Sequence, residues 1–303
     1  MLRGTALVVM LGAACATPPG TEATSRAPLG PRPAVTAATW AALAADPSIA
    51  AIDGDVALAC ASAPAGTDAS APRCDAVVIG ADGARAPLGR DDLLAAARLD
   101  ATRLVLMTAG GELRVRAGGV EQVLARDARD PRVAPDRRLI AFTQYPAGGG
   151  PGGAPGRLVA LDLDRGARWV IADDPLASSP FPIPGGDQVL YVSARTGLAA
   201  LYVAEPGLAP RQLTNRGRRA VDAAFVPVPG RELAWLDASH AVYTATYDGV
   251  ARLWAVDVAT GAARELGPGR RPRAVAGGVE AVIAGAVRVL DGAAIVAALE
   301  VAP

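Results

Sequence analysis

The sequence predicts an all-β fold, a six-bladed β-propeller of four-stranded antiparallel blades. Three observations carry this: a unit that recurs six times, a spacing of 35 to 50 residues between copies, and four strand-like runs in each copy. The turn and second strand of the unit are clearest in PDRRLIAF from Pro135, PGGDQVLYVS from Pro184 and PGRELAWL from Pro229. Weaker copies are DGDVALAC from Asp53, DATRLVLM from Asp100 and GGVEAVIAG from Gly277. Anchored on the first apolar residue of that strand, at Val56, Leu104, Leu139, Val189, Leu233 and Ala281, successive copies lie 48, 35, 50, 44 and 48 residues apart.

The second half of the unit is a hairpin with a Gly-containing turn. It reads RLVALDLDRGARWVI from Arg157, ALYVAEPGLAPRQLT from Ala200 and RLWAVDVATGAARELG from Arg252. Fainter versions are AVVIGADGARAPLG from Ala76, ELRVRAGGVEQVLA from Glu112 and VRVLDGAAIVAALEV from Val287. Blades are expected at about residues 47–89, 90–127, 128–173, 174–216, 217–268 and 269–303, within a propeller domain of 35–303. A lone four-stranded blade leaves both faces wet, and packing each blade between two neighbours around an axis buries them. Two alanine-rich runs have helical propensity, TAATWAALAAD from Thr36 and DDLLAAARL from Asp91. The second stands where the unit requires a first strand. The first fits either a short helix or a strand that closes the ring.

Residues 1–15 read as an export leader: Arg3 is the basic head, Thr5 to Leu11 the apolar stretch, and Gly12, Ala13 and Ala14 the small residues before Cys15. The apolar stretch is far below the ~20 residues of a membrane-spanning helix. Two processing routes stay open. LGAAC resembles a lipoprotein ending with Cys15 lipidated, although Gly12 stands where that pattern has a large apolar residue. Ala14-Cys15-Ala16 also fits ordinary cleavage after Ala16, which would release a secreted protein. Lipidation is the preferred reading, because residues 16–34 are rich in Pro, Gly, Ser and Thr and suit a solvated tether. The expected location is the cell envelope, facing the periplasm, with the lipid as the one membrane attachment. Setting Cys15 aside leaves Cys60 and Cys74, an even pair that an oxidising compartment favours as a disulfide. Closing a loop of ~15 residues is worth about 3 kcal/mol.

The 30 basic residues, all arginine, balance 30 acidic ones, so nothing favours a nucleic-acid partner. A single histidine, His240, limits acid–base and metal chemistry. It falls in DASHAVYTATYDG, read as a loop after the fifth blade's second strand; Asp237 and Asp248 are near but show no metal-ligand spacing. The run Gly148 to Gly153 satisfies G-x-G-x-x-G, yet it lies in the low-complexity stretch PAGGGPGGAPG with no helix behind it, so it is not a dinucleotide site. No Gly-x-Ser-x-Gly elbow is present. No cofactor and no metal are expected.

Ala134, Pro135 and Asp136 followed by Leu139 to Phe142, and Leu201 to Val203 followed by Arg211 to Thr214, resemble the WD40-like repeat of the TolB-like propeller family. The resemblance spans about residues 129–267 and is specific for fold rather than function. In that family's topology, loops between second and third strands share one face with loops joining consecutive blades, and propellers bind partners around its funnel. On this chain those loops hold Tyr145, Arg195, Arg216, Arg218, Arg219, His240, Tyr247, Arg270 and Arg271. Arginine brings a rigid donor fork and tyrosine a stiff amphipathic surface. A solubilising rim is the plainer account of the arginines. The functional expectation is a monomeric, non-enzymatic module that recognises an envelope protein, a peptide or a glycan. The alternative is a propeller lyase or glycosidase that uses paired funnel carboxylates. Metabolic labelling with a radioactive fatty acid tests the anchor: the full chain should take up label and Cys15→Ser should not, whereas an unlabelled full chain means cleavage after Ala16.

Overall fold

The computed structural model describes residues 36–46, 48–53, 55–60, 74–80, 82–147, 155–197, 199–214, 233–247 and 250–300. They form a six-bladed β-propeller whose antiparallel sheets follow one another along the chain. The first blade is β1 (Ile49–Asp53), β2 (Val56–Cys60), β3 (Cys74–Ile79) and β4 (Arg85–Pro87), and the second is β5 (Leu93–Arg98), β6 (Arg103–Thr108), β7 (Leu113–Ala117) and β8 (Val120–Ala125). The third is β9 (Ala128–Val133), β10 (Leu139–Gln144), β11 (Arg157–Asp162) and β12 (Arg168–Ala172), and the fourth is β13 (Ala177–Pro182), β14 (Val189–Ser193), β15 (Ala200–Ala204) and β16 (Arg211–Gln212). The fifth is β17 (Leu233–Trp235), β18 (His240–Tyr247), β19 (Val250–Asp257) and β20 (Ala263–Pro268). The sixth has, among the described residues, three strands: β21 (Arg270–Val275), β22 (Gly278–Ile283) and β23 (Ala286–Asp291). Helix α1 (Ala37–Ala45) precedes the ring and α2 (Gly292–Glu300) follows it.

Strand alternation builds the core. In β10, Leu139 and Ala141 pack toward the fourth blade while Ile140 and Phe142 pack toward the second. In β14, Val189 and Tyr191 face the third blade and Leu190 and Val192 the fifth. Apolar residues on both faces make these central strands continuous hydrophobic runs. The same rule fills every seam, including the closing one, where Val282 and Val287 of the sixth blade lie against Ile49, Ala57, Val77 and Ile79 of the first, with Leu43 of α1.

The alanine-rich Leu93–Arg98 is a strand: paired with β6, it buries Leu93 against the first blade, and tertiary position overrides alanine's helical propensity. Thr36–Ala45 takes the helical option, with the Thr36 hydroxyl accepting from Thr39 N–H at 3.2 Å.

Three expectations need correction. Leu233 lies in the first strand of its sheet, and the second strand is His240–Tyr247, so His240 and Tyr247 belong to a strand rather than to a loop. The hairpin expected from Val287 stops at Asp291. That carboxylate caps the next two residues, accepting from Ala293 N–H at 2.8 Å and Ala294 N–H at 3.2 Å, and Ile295 and Leu299, one helical turn apart, drop into the seam between the fifth and sixth blades. Arg270 and Arg271 open β21 instead of lying in a connecting loop.

Tyr191 stacks on Tyr202 with ring centroids 5.5 Å apart, and its buried hydroxyl has no hydrogen-bond partner among the described residues. Tyr191→Phe removes only that unsatisfied group, so its melting temperature should equal or exceed that of the parent. Phe142→Ala, at a fully buried site, should cost about 3–5 kcal/mol in denaturant unfolding.

Candidate functional site

Second strands run in one direction around the ring. Residues that follow them therefore lie at one end of the propeller, with the connections between blades, and residues that precede them lie at the other. The second end is built from short turns that satisfy themselves. Asp100 accepts from Thr102 and Arg103 N–H, both at 2.8 Å; Asp162 accepts from Asp164 and Arg165 N–H, both at 2.9 Å; and Asp237 accepts from Ser239 and His240 N–H at 2.6 and 2.8 Å. The recurring aspartate of the sequence unit is thus a turn cap. Side chains also tie this end from blade to blade. Arg98 Nε sits 2.7 Å from the buried carboxylate of Asp55, Asp136 accepts from Gly185 N–H at 2.9 Å, and Arg138 reaches Asp187.

The first end is different. It carries the stretches from Cys60 to Cys74, from Gln144 to Arg157 and from Gln212 to Leu233, the longest between consecutive described strands. Cys60 and Cys74 are joined by a disulfide across paired positions of β2 and β3, which closes the first connection at its base. Residues 61–73, the Gly148 to Gly153 run, Asp248, and Arg216, Arg218 and Arg219 lie outside the described residues, as do Cys15 and the tether.

Between neighbouring blades the first strands meet, β5 with β9, β9 with β13 and β17 with β21, so these strands form the inner wall. Among the described residues the pairing of β1, β5, β9, β13 and β21 with their second strands shifts in the half nearest the loop end, and in the last three the shift falls at a residue held at positive φ before a proline: Asp130 (51°) before Pro131, Ser179 (51°) before Pro180 and Arg271 (56°) before Pro272. Each bulge shifts the pairing with the second strand and re-aims the residues beside it. The inner strands of the third, fourth and sixth blades carry polar residues, while those of the first and second are largely aliphatic. Arg132, largely buried, lies 2.7 Å from Asp130 Oδ1 and 5.7 Å from the Phe181 ring centroid. Arg273 Nε donates to the buried Glu280 at 3.1 Å. Gly111, at φ +84°, leaves room for the Arg129 guanidinium, which a Cβ there would meet at 2.7 Å. Arg129, Asp130, Arg132 and Ser179 were not singled out from sequence. Their signal is the X-Pro step in RDPR, SSPF and RRPR at the same place in three copies of the unit.

The structure divides the residues expected to share the binding face. Tyr145, Arg195, Arg270 and Arg271 are at the loop end, and Tyr247, whose side chain is outside the described set, ends its strand there. His240 is at the opposite end, with Nδ1 2.8 Å from Asp237 Oδ2, where it completes a turn. Arg195 is committed locally, its guanidinium 4.2 Å from the Tyr202 ring centroid. Arg270 is exposed and has no ion pair among the described residues. No cluster of three potential metal ligands occurs among the described residues, and no helix there is long and apolar enough to cross a membrane.

Solved structures with this fold include TolB from Acinetobacter baumannii, at 14% identity and TM-score 0.50, over 72% of this chain and 57% of that one. Others are puromycin hydrolase, at 18% identity and TM-score 0.52 over 88% and 49% of the two chains, and tricorn protease, at 13% and 0.53 over 78% and 28%. The chain thus spans little more than half of that TolB and less than half of the two enzymes, and at these identities the likeness is one of fold. No family model and no curated protein matches the sequence.

On the second blade, Arg90 pairs with Asp92 at 2.7 Å and with Glu121 at 2.6 Å, Arg114 pairs with Glu121 at 3.1 Å and also with Glu112, and Arg126 pairs with Glu112. The Arg90 hydrogen bond holds Asp92 below its ordinary value, and that of Arg114 does the same for Glu112. Burial pushes Glu121 up, but Arg90 and Arg114 outweigh it and the net shift is downward. Depressed carboxylates stabilise the fold above their unfolded values, near 3.8 for Asp and 4.5 for Glu, and lose that contribution as pH falls through the lower folded values. In melts from pH 7 to about pH 2.5, Arg114→Ala should lower the pH 7 melting temperature slightly and shrink the acid-induced drop.

Proposed function

We propose that this chain is an exported, non-enzymatic binding module of the cell envelope that takes a protein, peptide or glycan partner at its loop end. The observation that carries the reading is the contrast between the two ends. Turns at one end cap and tie themselves, whereas the longest connections, the inner-strand bulges and the exposed Arg270 gather at the other. A fork of donors on stiff inner strands suits anionic groups on a partner, and the long connections supply area for a protein-sized contact. The reading of a lyase or glycosidase has less support, because Asp130 on the inner wall and the buried Glu280 on the strand behind it are each committed to an arginine of their own blade. Export rests on the leader and on the Cys60–Cys74 pair.

Capture from crosslinked envelope membranes tests this with three full-length proteins: the parent, a loop-end variant with Arg216, Arg218, Arg219 and Arg270 changed to alanine, and His240→Ala at the opposite end. A partner recovered by the parent and by His240→Ala, and reduced at least about tenfold by the loop-end variant, supports the reading. Equal recovery by all three would place binding elsewhere. With no protein recovered, the same three proteins are to be titrated with envelope glycans, and the absence of binding there too would remove the proposal.

A further inference from the structure

The fifth and sixth blades leave a groove at the end of the ring where first and second strands connect. Its volume is about 490 Å³, within the roughly 300–1,000 Å³ of small-molecule sites. The walls are the turn after β17, with Asp237, the turn after β21, with Gly277 and Gly278, and one side of α2. Gly292 seats the start of that helix. Its N–H donates to Gly277 C=O at 2.9 Å, and a Cβ on it would meet Leu236 Cδ2 at 3.3 Å, so Asp237 stands beside the first turn of α2. The helical period sorts the residues that follow. Ile295 and Leu299 enter the seam, Arg264 reaches Ala298 C=O at 2.9 Å on another side, and Ala293, Val296, Ala297 and Glu300 line the groove. Glu300 ends the helix that Gly292 begins, about 12 Å along the axis at ~1.5 Å per residue.

Among the described residues, Asp237 and Glu300 are the only charged groups that line this groove, and they stand toward its two ends. Asp237 is half-exposed. Burial pushes its carboxyl up, but the His240 hydrogen bond and the N–H groups of Ser239 and His240 outweigh it, the net shift is downward, and the group is ionised at neutral pH. Glu300 is exposed and makes no ion pair among the described residues. Val275, Ala293, Val296 and Ala297 make the surface between them apolar. We propose that this groove binds a linear dication, two ammonium groups joined by an apolar chain, with one head on Asp237, the other on Glu300 and the chain along Val296 and Ala297. The charges select the ligand. An anion is repelled at both ends, a single cation meets one carboxylate, and a dication meets both. The groove lies at the opposite end from the partner face proposed above, and neither reading depends on the other.

Residue-resolved NMR titration of the full-length protein at about pH 7 and low salt tests this with 1,8-diaminooctane, octylamine and 1,8-octanediol. The diamine should shift the Gly277, Gly278 and Ala297 amides to saturation. It should bind at least about threefold more tightly than octylamine, the worth of one exposed ion pair, and the diol should bind more weakly than either. Glu300→Gln, at an exposed helix end, should bring the diamine down to the affinity of octylamine. Asp237→Asn, whose amide oxygen still caps the turn, should do the same. Groove amides that never saturate, equal affinities of the parent for diamine and octylamine, or an unchanged diamine affinity in Glu300→Gln would each overturn the proposal. So would saturation confined to amides of another acidic surface, such as that of Glu112 and Glu121.

Discussion

Every blade of this protein depends on its neighbours for burial. A twisted four-stranded sheet with apolar residues on both faces cannot be stable alone, and here Leu139 and Ile140, adjacent in β10, serve two different seams. Stability therefore comes from the ring, including the seam where it closes. There Val282 and Val287 of the sixth blade meet Ile49, Ala57, Val77 and Ile79 of the first, joined by Leu43 of α1.

The two ends have divided roles for a related reason. Where first and second strands connect, the chain must reverse within a few residues, and aspartates at Asp100, Asp162 and Asp237 satisfy the exposed N–H groups of those reversals. Ion pairs such as Asp55 with Arg98 then bind one blade to the next. Little polar capacity is left over at that end. The other end has long connections and inner strands bent by X-Pro bulges, which place Arg132 and Arg273 on the wall near the mouth of the ring.

The solitary histidine shows how local reading misplaces a residue. Read as a loop residue, His240 joins the binding arginines; as the first residue of β18 it lies at the far end, held by Asp237. The error is one strand of phase in the fifth blade, and a shift of one strand exchanges the two ends of a propeller. Similarly, Ala293 to Glu300 has enough β-compatible residues to continue a hairpin, yet the Asp291 cap and the Ile295 and Leu299 spacing make it a helix.

The sequence alone determined the number of repeating units, the strand order within most of them and the central apolar strands, because burial on two faces imposes continuous hydrophobic runs at a fixed period. The clear PDRRLIAF and DQVLYVS copies are read correctly for that reason. Which residues share an end and which arginines are already committed, as Arg195 is to Tyr202, were decided by tertiary structure. Those properties depend on strand direction and on contacts between blades that are distant in sequence, and no local pattern of residues encodes either.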